Sequence, residues 1–272
     1  MMLLDTHSHS RVSFDGRDSR RELALSALDA GLDLLCVTDH YDVVNERSEL
    51  VPAYDWAPAR REHAEAIRAL PAGAPLRLLY GLELGNAPAC FDAAAAALAE
   101  EGLDFVIGSM HNASARLGWV DWYYVDYHEN KALALRHLED YFDSLTALIE
   151  WGNYDTLGHL AYPLRYMRDR DGLDLRLSDF RERYVEILRR NAERGRAVEV
   201  NTNRGRDTLT DYRDLLLDWK ALGGEHVTVG ADAHWAEDLG KGIREALDLI
   251  KACGFEYVTY FEKRKPVCVR VD

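Results

Sequence analysis

The sequence is short of positive charge. Its 33 Lys and Arg stand against 47 Asp and Glu, for a net charge of -14. Nucleic-acid binding draws much of its energy from basic side chains that neutralise phosphates, so no nucleic-acid partner is expected. Cysteine is also scarce: Cys36, Cys90, Cys253 and Cys268 stand far apart, with no CxxC pair. That spacing argues against a disulfide framework and against a thiolate metal knot. Long apolar runs are missing too. Stretches such as Leu32 to Thr38 are far too short to span a bilayer, so no membrane partner is expected. The opening MMLLDTHSHS lacks the basic region and long apolar core of a secretory leader, which makes the cytoplasm the expected location.

What is present suits a globular α/β protein. Of 272 residues, 47% are hydrophobic and 29% charged, enough to bury a full core. Short apolar runs recur, each ending in polar residues and then giving way to a helix-patterned stretch. The runs lead into Asp5-Thr6-His7-Ser8-His9, Thr38-Asp39-His40, Glu83, Ser109-Met110-His111, His159, Asn201-Thr202-Asn203 and Asp232-Ala233-His234. Between them, apolar residues at spacings of three and four predict helices over 20–32, 59–70, 91–103, 132–151, 180–193, 211–222 and 243–253. Ser178, ahead of Asp179-Phe180, reads as an N-cap. Alternating strands and helices imply a parallel sheet. Seven such units predict one TIM-like α/β barrel domain over 1–272, with an open doubly wound sheet as the alternative. Either architecture places the polar residues at the carboxyl ends of the strands, beside the long inserts 41–58 and 112–130. The tail is read as two short strands, 257–261 and 267–271, around Lys265-Pro266, packed on the barrel.

His7 and His9 lie two apart on a strand end and so share a face; Asp232 and His234 repeat the spacing. With Asp15, His40, Glu83, His111 and His159 they make nine ionisable groups converging on one end of the sheet. A single histidine after a strand is ordinarily structural. Nine such groups would repel and desolvate one another, and divalent cations remove that conflict. Imidazole and carboxylate without thiolate suit zinc, manganese or iron. Nine ligands exceed the coordination of one ion, so two or three ions are implied, an arrangement used to hydrolyse phosphate esters.

This set of motifs resembles the polymerase and histidinol phosphatase (PHP) superfamily over nearly the whole chain. Gly108-Ser109-Met110-His111, Leu157-Gly158-His159-Leu160, Glu199-Val200-Asn201-Thr202, the stretch 231–240 and Phe261-Glu262-Lys263-Arg264-Lys265-Pro266-Val267 are similar to the monofunctional histidinol-phosphatases. The resemblance implies a distorted (β/α)7 barrel with a trinuclear metal site. It implies a first ion on His7, His9, Glu83 and Asp232, a second on His111 and His159 with Glu83 bridging, and a third on Asp15, His40 and His234. It implies hydrolysis of L-histidinol phosphate, within histidine biosynthesis, by a metal-bridging hydroxide that attacks phosphorus and leaves inorganic phosphate. Glu83, Asp232 and His234 are the catalytic candidates, and the proton donor to the leaving alkoxide stays open between a metal, Asp232 and a histidine such as His234.

Other residues fall around this set. Arg165 and Arg204 follow ligand-bearing strand ends and are placed to grip the phosphate, with Arg206 as the substitute for Arg204. Asn203-Arg204-Gly205 departs from the Ser-Gly common after Asn-Thr in phosphatase relatives. Asp5, Asp39 and Asn201 adjoin the ligands and are expected either to take the second N–H of metal-bound imidazoles or simply to cap local turns. Trp119, Trp122, Tyr123, Tyr124 and Tyr127 follow His111; they are read as loop packing or as a stacking surface for an imidazole ring, with Asp121 or Asp126 meeting an ammonium.

Overall fold

The computed structural model describes residues 2–206 and 209–271. Its elements run β1 (Leu4–Asp5), α1 (Arg20–Asp29), β2 (Leu34–Val37), β3 (His40–Asp42), α2 (Ala57–Ala69), β4 (Arg77–Gly85), α3 (Phe91–Ala97), β5 (Phe105–Ser109) and α4 (Lys131–Trp151). There follow β6 (Thr156–Leu157), α5 (Tyr162–Leu164), α6 (Arg181–Glu193), β7 (Ala197–Asn201), α7 (Leu209–Ala221), β8 (Val227–Gly230), α8 (Ile243–Ala252), β9 (Tyr257–Glu262) and β10 (Lys265–Arg270).

Seven parallel strands form a nearly closed barrel in the order β1-β2-β4-β5-β6-β7-β8. Strands β2, β5 and β8 are fully buried and largely apolar, as strands covered on both faces in a parallel sheet are. The seam between β8 and β1 is bridged rather than open. The amide of Thr6 donates to Val229 at 3.0 Å, that of Asp232 to His7 at 2.8 Å, and that of His9 to Ala233 at 2.8 Å. These bonds set aside the open doubly wound alternative and bring both ends of the ligand sequence together.

Strand β3 continues β2 in register, since Val37 pairs with Tyr80 and His40 with Glu83. The two residues between, Thr38 and Asp39, interrupt the ladder, and both of their carbonyls accept the Glu83 amide. Pairing with β3 carries β4 on to Gly85, so Glu83 lies within its strand rather than after it.

Three local expectations are corrected. The alanine-rich helix α3 stops at Ala97, because the chain unwinds into a turn over 98–102 with Gly102 at φ +81°. Ser178 caps no helix: the Asp179 carboxylate accepts the Arg176 amide and winds 177–180 into a 3-10 turn ahead of α6. The tail turns at Lys263-Arg264, both left-handed as a two-residue hairpin requires, and Pro266 sits on the outer strand β10, where its missing N–H costs nothing. This hairpin covers the amino-terminal end of the barrel, with Phe261 stacked on Phe105 at 5.3 Å and Arg264 paired to Asp155. No residue of β9 or β10 lines the cleft at the opposite end.

Candidate metal centre

All nine candidate ligands gather at the carboxyl end of the barrel. Two stacked clusters share Glu83, which is fully buried. Around its Oε2, His7 Nε2 stands at 3.2 Å and His9 Nε2 at 3.5 Å. Asp232 Oδ1 closes this first group, 3.3 Å from His9 Nε2 and 3.7 Å from His7 Nε2, while the two ring nitrogens are 3.1 Å apart. Donors about 2.0–2.2 Å from a tetrahedral zinc stand roughly 3.3–3.6 Å from one another, so the group has the edge lengths of such a cage. Around Oε1 of Glu83, His159 Nε2 lies at 2.8 Å and His111 Nε2 at 3.2 Å, with 3.4 Å between the rings' nitrogens. Asp15 bridges a third group, with Oδ2 2.9 Å from His234 Nε2 and Oδ1 3.7 Å from His40 Nε2. The His9 ring lies between the rings of His40 and His234, at centroid distances of 4.2 and 4.3 Å.

The residues fit cations because their own hydrogen bonding is incomplete. Glu83 Oε2, Asp15 Oδ1 and His40 Nδ1 are buried with no hydrogen-bond partner. His7 spends Nδ1 on Glu199 Oε1 at 2.6 Å, His111 spends Nδ1 on Asp42 Oδ1 at 2.7 Å, and His234 Nδ1 donates to the Asp232 carbonyl at 2.9 Å. With Nδ1 as the N–H, each Nε2 turns a lone pair toward other acceptors, an arrangement stable only around a positive charge.

Without a cation the charges compensate one another unevenly. Burial opposes charge on His7 and His111, yet Glu199 with Glu83 and Asp42 with Glu83 push these rings well above the ordinary histidine range. Burial, with the rings of His40 and His234, pushes His9 down to about 4. Burial likewise works against the carboxylates, but the surrounding imidazoles hold Glu83 and Asp232 well below the usual range, and Asp15 below it as well. Burial pushes Asp5 up to about 6 against three backbone N–H groups, those of Ala231, Gly240 and His7. Asp232 adopts φ +58°, a strained backbone for a non-glycine residue that aims its carboxylate inward.

Of the three residues expected to brace the rings, Asn201 lies 3.5 Å from His7 Nδ1 and also contacts Glu199 and Asp232. Asp5 holds backbone amides rather than an imidazole, and Asp39 pairs with the fully buried Arg20 through Nε at 3.0 Å and Nη2 at 2.7 Å. Two carboxylates that do touch the rings were not singled out in the sequence. Glu199 interrupts the apolar run Ala197-Val198-Glu199-Val200, and Asp42 falls two residues after His40 on the same strand face. Glycine makes room for both. A Cβ at Gly230 would come 2.2 Å from His7 Cβ, and one at Gly85 would come 1.6 Å from Asp42 Oδ1.

The centre floors a cleft of about 450 Å³. Arg165 enters it from one side, donating from Nη1 to Asp232 Oδ2 at 3.0 Å and from Nη2 to Asn201 Oδ1 at 2.7 Å. It begins a π-helical turn over 165–170, a winding common at functional sites. Arg204 also lines the cleft, whereas Arg206 is solvent-exposed and does not. The mouth carries Phe14, Tyr123, Tyr124 and Trp235, each about half exposed, while Glu46 and the buried Asp121 also line the cleft. Trp122 and Tyr127 are buried, and Asp126 pairs with His128 outside the cleft.

A seven-stranded parallel barrel with several carboxylate-histidine groups at its carboxyl end defines a class of metal-dependent hydrolases. The PHP domain model matches residues 5–203, and the chain belongs to that family. A histidinol-phosphatase of Lactococcus lactis is 30% identical over 270 residues, covering 97% of this chain and 96% of the relative. A probable histidinol-phosphatase of Thermotoga maritima is 27% identical, covering 96% of this chain and 97% of its own. The crystal structure of the histidinol phosphate phosphatase from Lactococcus lactis, complexed with zinc, L-histidinol and phosphate, superposes with a TM-score of 0.80 at 27% identity, covering 97% of this chain and 98% of that one. The chain is a metal-dependent PHP phosphatase. No helix among the described residues is long and apolar enough to cross a membrane.

Proposed function

We propose that this phosphatase hydrolyses L-histidinol phosphate to L-histidinol and inorganic phosphate, a step of histidine biosynthesis, using three divalent ions of zinc, manganese or iron. The reading is carried by one arrangement. Asp232 turns Oδ1 to the metal-ligand group and Oδ2 to Arg165, joining an anion-gripping guanidinium to the cation cage. His7, His9, Glu83 and Asp232 would hold the first ion, His111, His159 and Glu83 the second, and Asp15, His40 and His234 the third. Such ions, when bound, activate water at neutral pH and draw charge from phosphoryl oxygens.

The chain's own groups do the rest. Arg165, fixed by Asp232 and Asn201, presents its remaining N–H donors to the phosphoryl oxygens, and Arg204 approaches from its left-handed turn at φ +61°. Asp232 is held ionised by His7, His9 and Arg165, so it serves as ligand and anchor rather than as the acid for the leaving alkoxide. His234 gives its Nδ1–H to the Asp232 carbonyl and keeps Nε2 for the third ligand group beside Asp15, so it too would serve as a ligand rather than as that acid. At the mouth, aromatic faces suit an imidazole ring, and Glu46 and Asp121 suit an ammonium. The relative that binds L-histidinol and phosphate supports the same substrate.

Turnover on L-histidinol phosphate and on a panel of nucleotide, sugar and tyrosine phosphates, with metal analysis of the same preparation, tests the proposal. The expected result is a kcat/KM for L-histidinol phosphate at least about 100-fold above the panel, a margin of about 3 kcal/mol. Absent turnover of that ester beside strong turnover of another would reassign the substrate.

A further inference from the structure

Ser13 lies in the loop after β1, 4% exposed, where neither the motifs nor the reaction assigns it a task. Its hydroxyl meets three groups. Oγ is 2.9 Å from Asp39 Oδ1, 2.9 Å from the backbone nitrogen of His40 and 3.3 Å from Nδ1 of His9. A hydroxyl has one hydrogen to give and two lone pairs to receive. Arg20, fully buried, grips Oδ2 of Asp39 with two N–H groups and keeps that carboxylate an anion, so Asp39 can only accept. The Ser13 hydrogen therefore points to Asp39. The His40 amide can only donate, and it fills one lone pair. The remaining lone pair faces His9 Nδ1, and that contact is a hydrogen bond only if Nδ1 carries the hydrogen. With Nδ1 protonated, the lone pair of the neutral ring is on Nε2, the atom 3.3 Å from Asp232 Oδ1 and 3.5 Å from Glu83 Oε2.

We propose that Ser13 is a positioning residue: anchored by the Arg20–Asp39 pair, it fixes His9 in the Nδ1–H tautomer, so that Nε2 is available as a metal ligand. One serine also ties the backbone of His40 to the ring of His9, and so couples the first group of ligands to the third. The role accounts for a buried Arg–Asp pair that touches no substrate-facing atom. It rests on the reading that these groups hold divalent ions.

The test uses the full chain loaded with zinc, and it reads zinc affinity by chelator competition and ring protonation by two-bond 1H–15N correlation on 15N-histidine-labelled protein. The wild type should show His9 with Nδ1–H and a ligated Nε2. Ser13→Ala should lower affinity for the tightest zinc about 10- to 100-fold, the range typical of lost ligand-bracing hydrogen bonds, and should weaken the Nδ1–H signature. Ser13→Thr, which keeps the hydroxyl, should restore both. Ser10→Ala removes a different hydrogen bond to Asp39 without touching His9, and it should change neither readout. Equal zinc affinity in wild type and Ser13→Ala would overturn the proposal, as would an equal loss in Ser10→Ala. Should Ser13→Ala not fold, a wild-type His9 that binds zinc through Nδ1 overturns it alone. A wild type that binds no zinc at all would instead overturn the metal reading beneath it.

Discussion

Arg165 and Asp232 share one carboxylate with the metal-ligand cluster: Nη1 lies 3.0 Å from Oδ2, while Oδ1 of the same group reaches His9. The guanidinium is thereby held at a fixed distance from whatever the cluster binds. Replacing it with Ala should lower kcat/KM by about 10²–10³, the usual cost of losing one preorganised donor to a developing oxyanion. Arg165→Lys should recover little, because a single ammonium cannot span Asp232 and Asn201 together. Steady-state kinetics with metal content in parallel checks this, and unchanged turnover in Arg165→Ala would remove the residue from phosphate binding.

Glu83 turns Oε2 to His7, His9 and His40 and Oε1 to His111 and His159, so one carboxylate touches all three ligand groups. Glu83→Gln keeps the volume but drops the charge. Bound metal should fall by at least about one ion per chain, and hydrolysis by more than the roughly 100-fold that loss of an outer brace produces. Elemental analysis of the purified variant, alongside phosphate release, gives the answer. Full metal content with full turnover would sink the bridging assignment.

Arg170 closes the π-helical turn that Arg165 opens, and it donates to the carbonyls of Tyr123 and Val125 on either side of the rim residue Tyr124. Its guanidinium also lies 5.3 Å over the Tyr166 ring, which meets Tyr123 edge-on at 5.8 Å. Arg170→Ala should loosen the rim and raise KM for L-histidinol phosphate about 5- to 10-fold, roughly the value of one exposed cation–π contact with its hydrogen bonds. A small aryl phosphate that does not reach the rim should keep its KM. Equal effects on both esters would show that the clamp serves stability alone.

His63, on α2, packs beside Arg20 and Tyr80 with its Nδ1 lacking a partner, and burial with the nearby guanidinium pushes it down to about 4. Its folded value lies below the ordinary 6.5, so the unfolded chain binds more protons between pH 6.5 and 4. Stability is therefore fully present above pH 6.5 and is lost as pH falls toward 4, by on the order of 2 kcal/mol. In His63→Leu that part of the loss should vanish. Urea midpoints at pH 7.5 and 5 for both proteins measure it, and an identical pH slope would refute the assignment.

Gly230 leaves no room between β8 and β1, as the 2.2 Å approach of an added Cβ to His7 Cβ shows. The same Cβ would stand 3.0 Å from Glu199 Oε1, the acceptor that orients the His7 ring. Gly230→Ala should cost about 1–3 kcal/mol by overpacking and release metal from the His7 group. Gly223→Ala, in open space, should cost only its left-handed backbone and leave metal in place. Thermal melts with metal analysis separate the two, and normal metal retention in Gly230→Ala would deny it a part in holding His7.

The order of strands and helices, and the side of the sheet that carries chemistry, could be read from the sequence, because both depend on local periodicity. Apolar runs ending in His, Asp or Glu place those residues at the carboxyl ends of strands whatever the barrel's closure. The expected spans of α2, α4 and α8 lie within two residues of those observed, since amphipathic spacing sets them. Less local features escaped. Glu199 and Asp42 are single carboxylates in strands, and only the barrel brings them to Nδ1 of His7 and His111 from strands distant in sequence. Ser178 looked like a cap because its neighbours suit one, yet Asp179 takes the Arg176 amide and shifts the turn.

The sequence by itself determined which apolar runs lead into His, Asp or Glu, and therefore that most of the nine potential ligands face one way, although Glu83 lies inside β4 and Asp15 in the loop ahead of α1. Only the tertiary structure decided how they divide. The seam from β8 to β1 sets Asp232 beside His7 and His9, and the Val37-to-His40 register sets Glu83 between two ligand groups. Ligand distances of 3–4 Å arise from strand pairing across more than two hundred residues, and pairing at that range is fixed by closing the barrel, not by any local run of side chains.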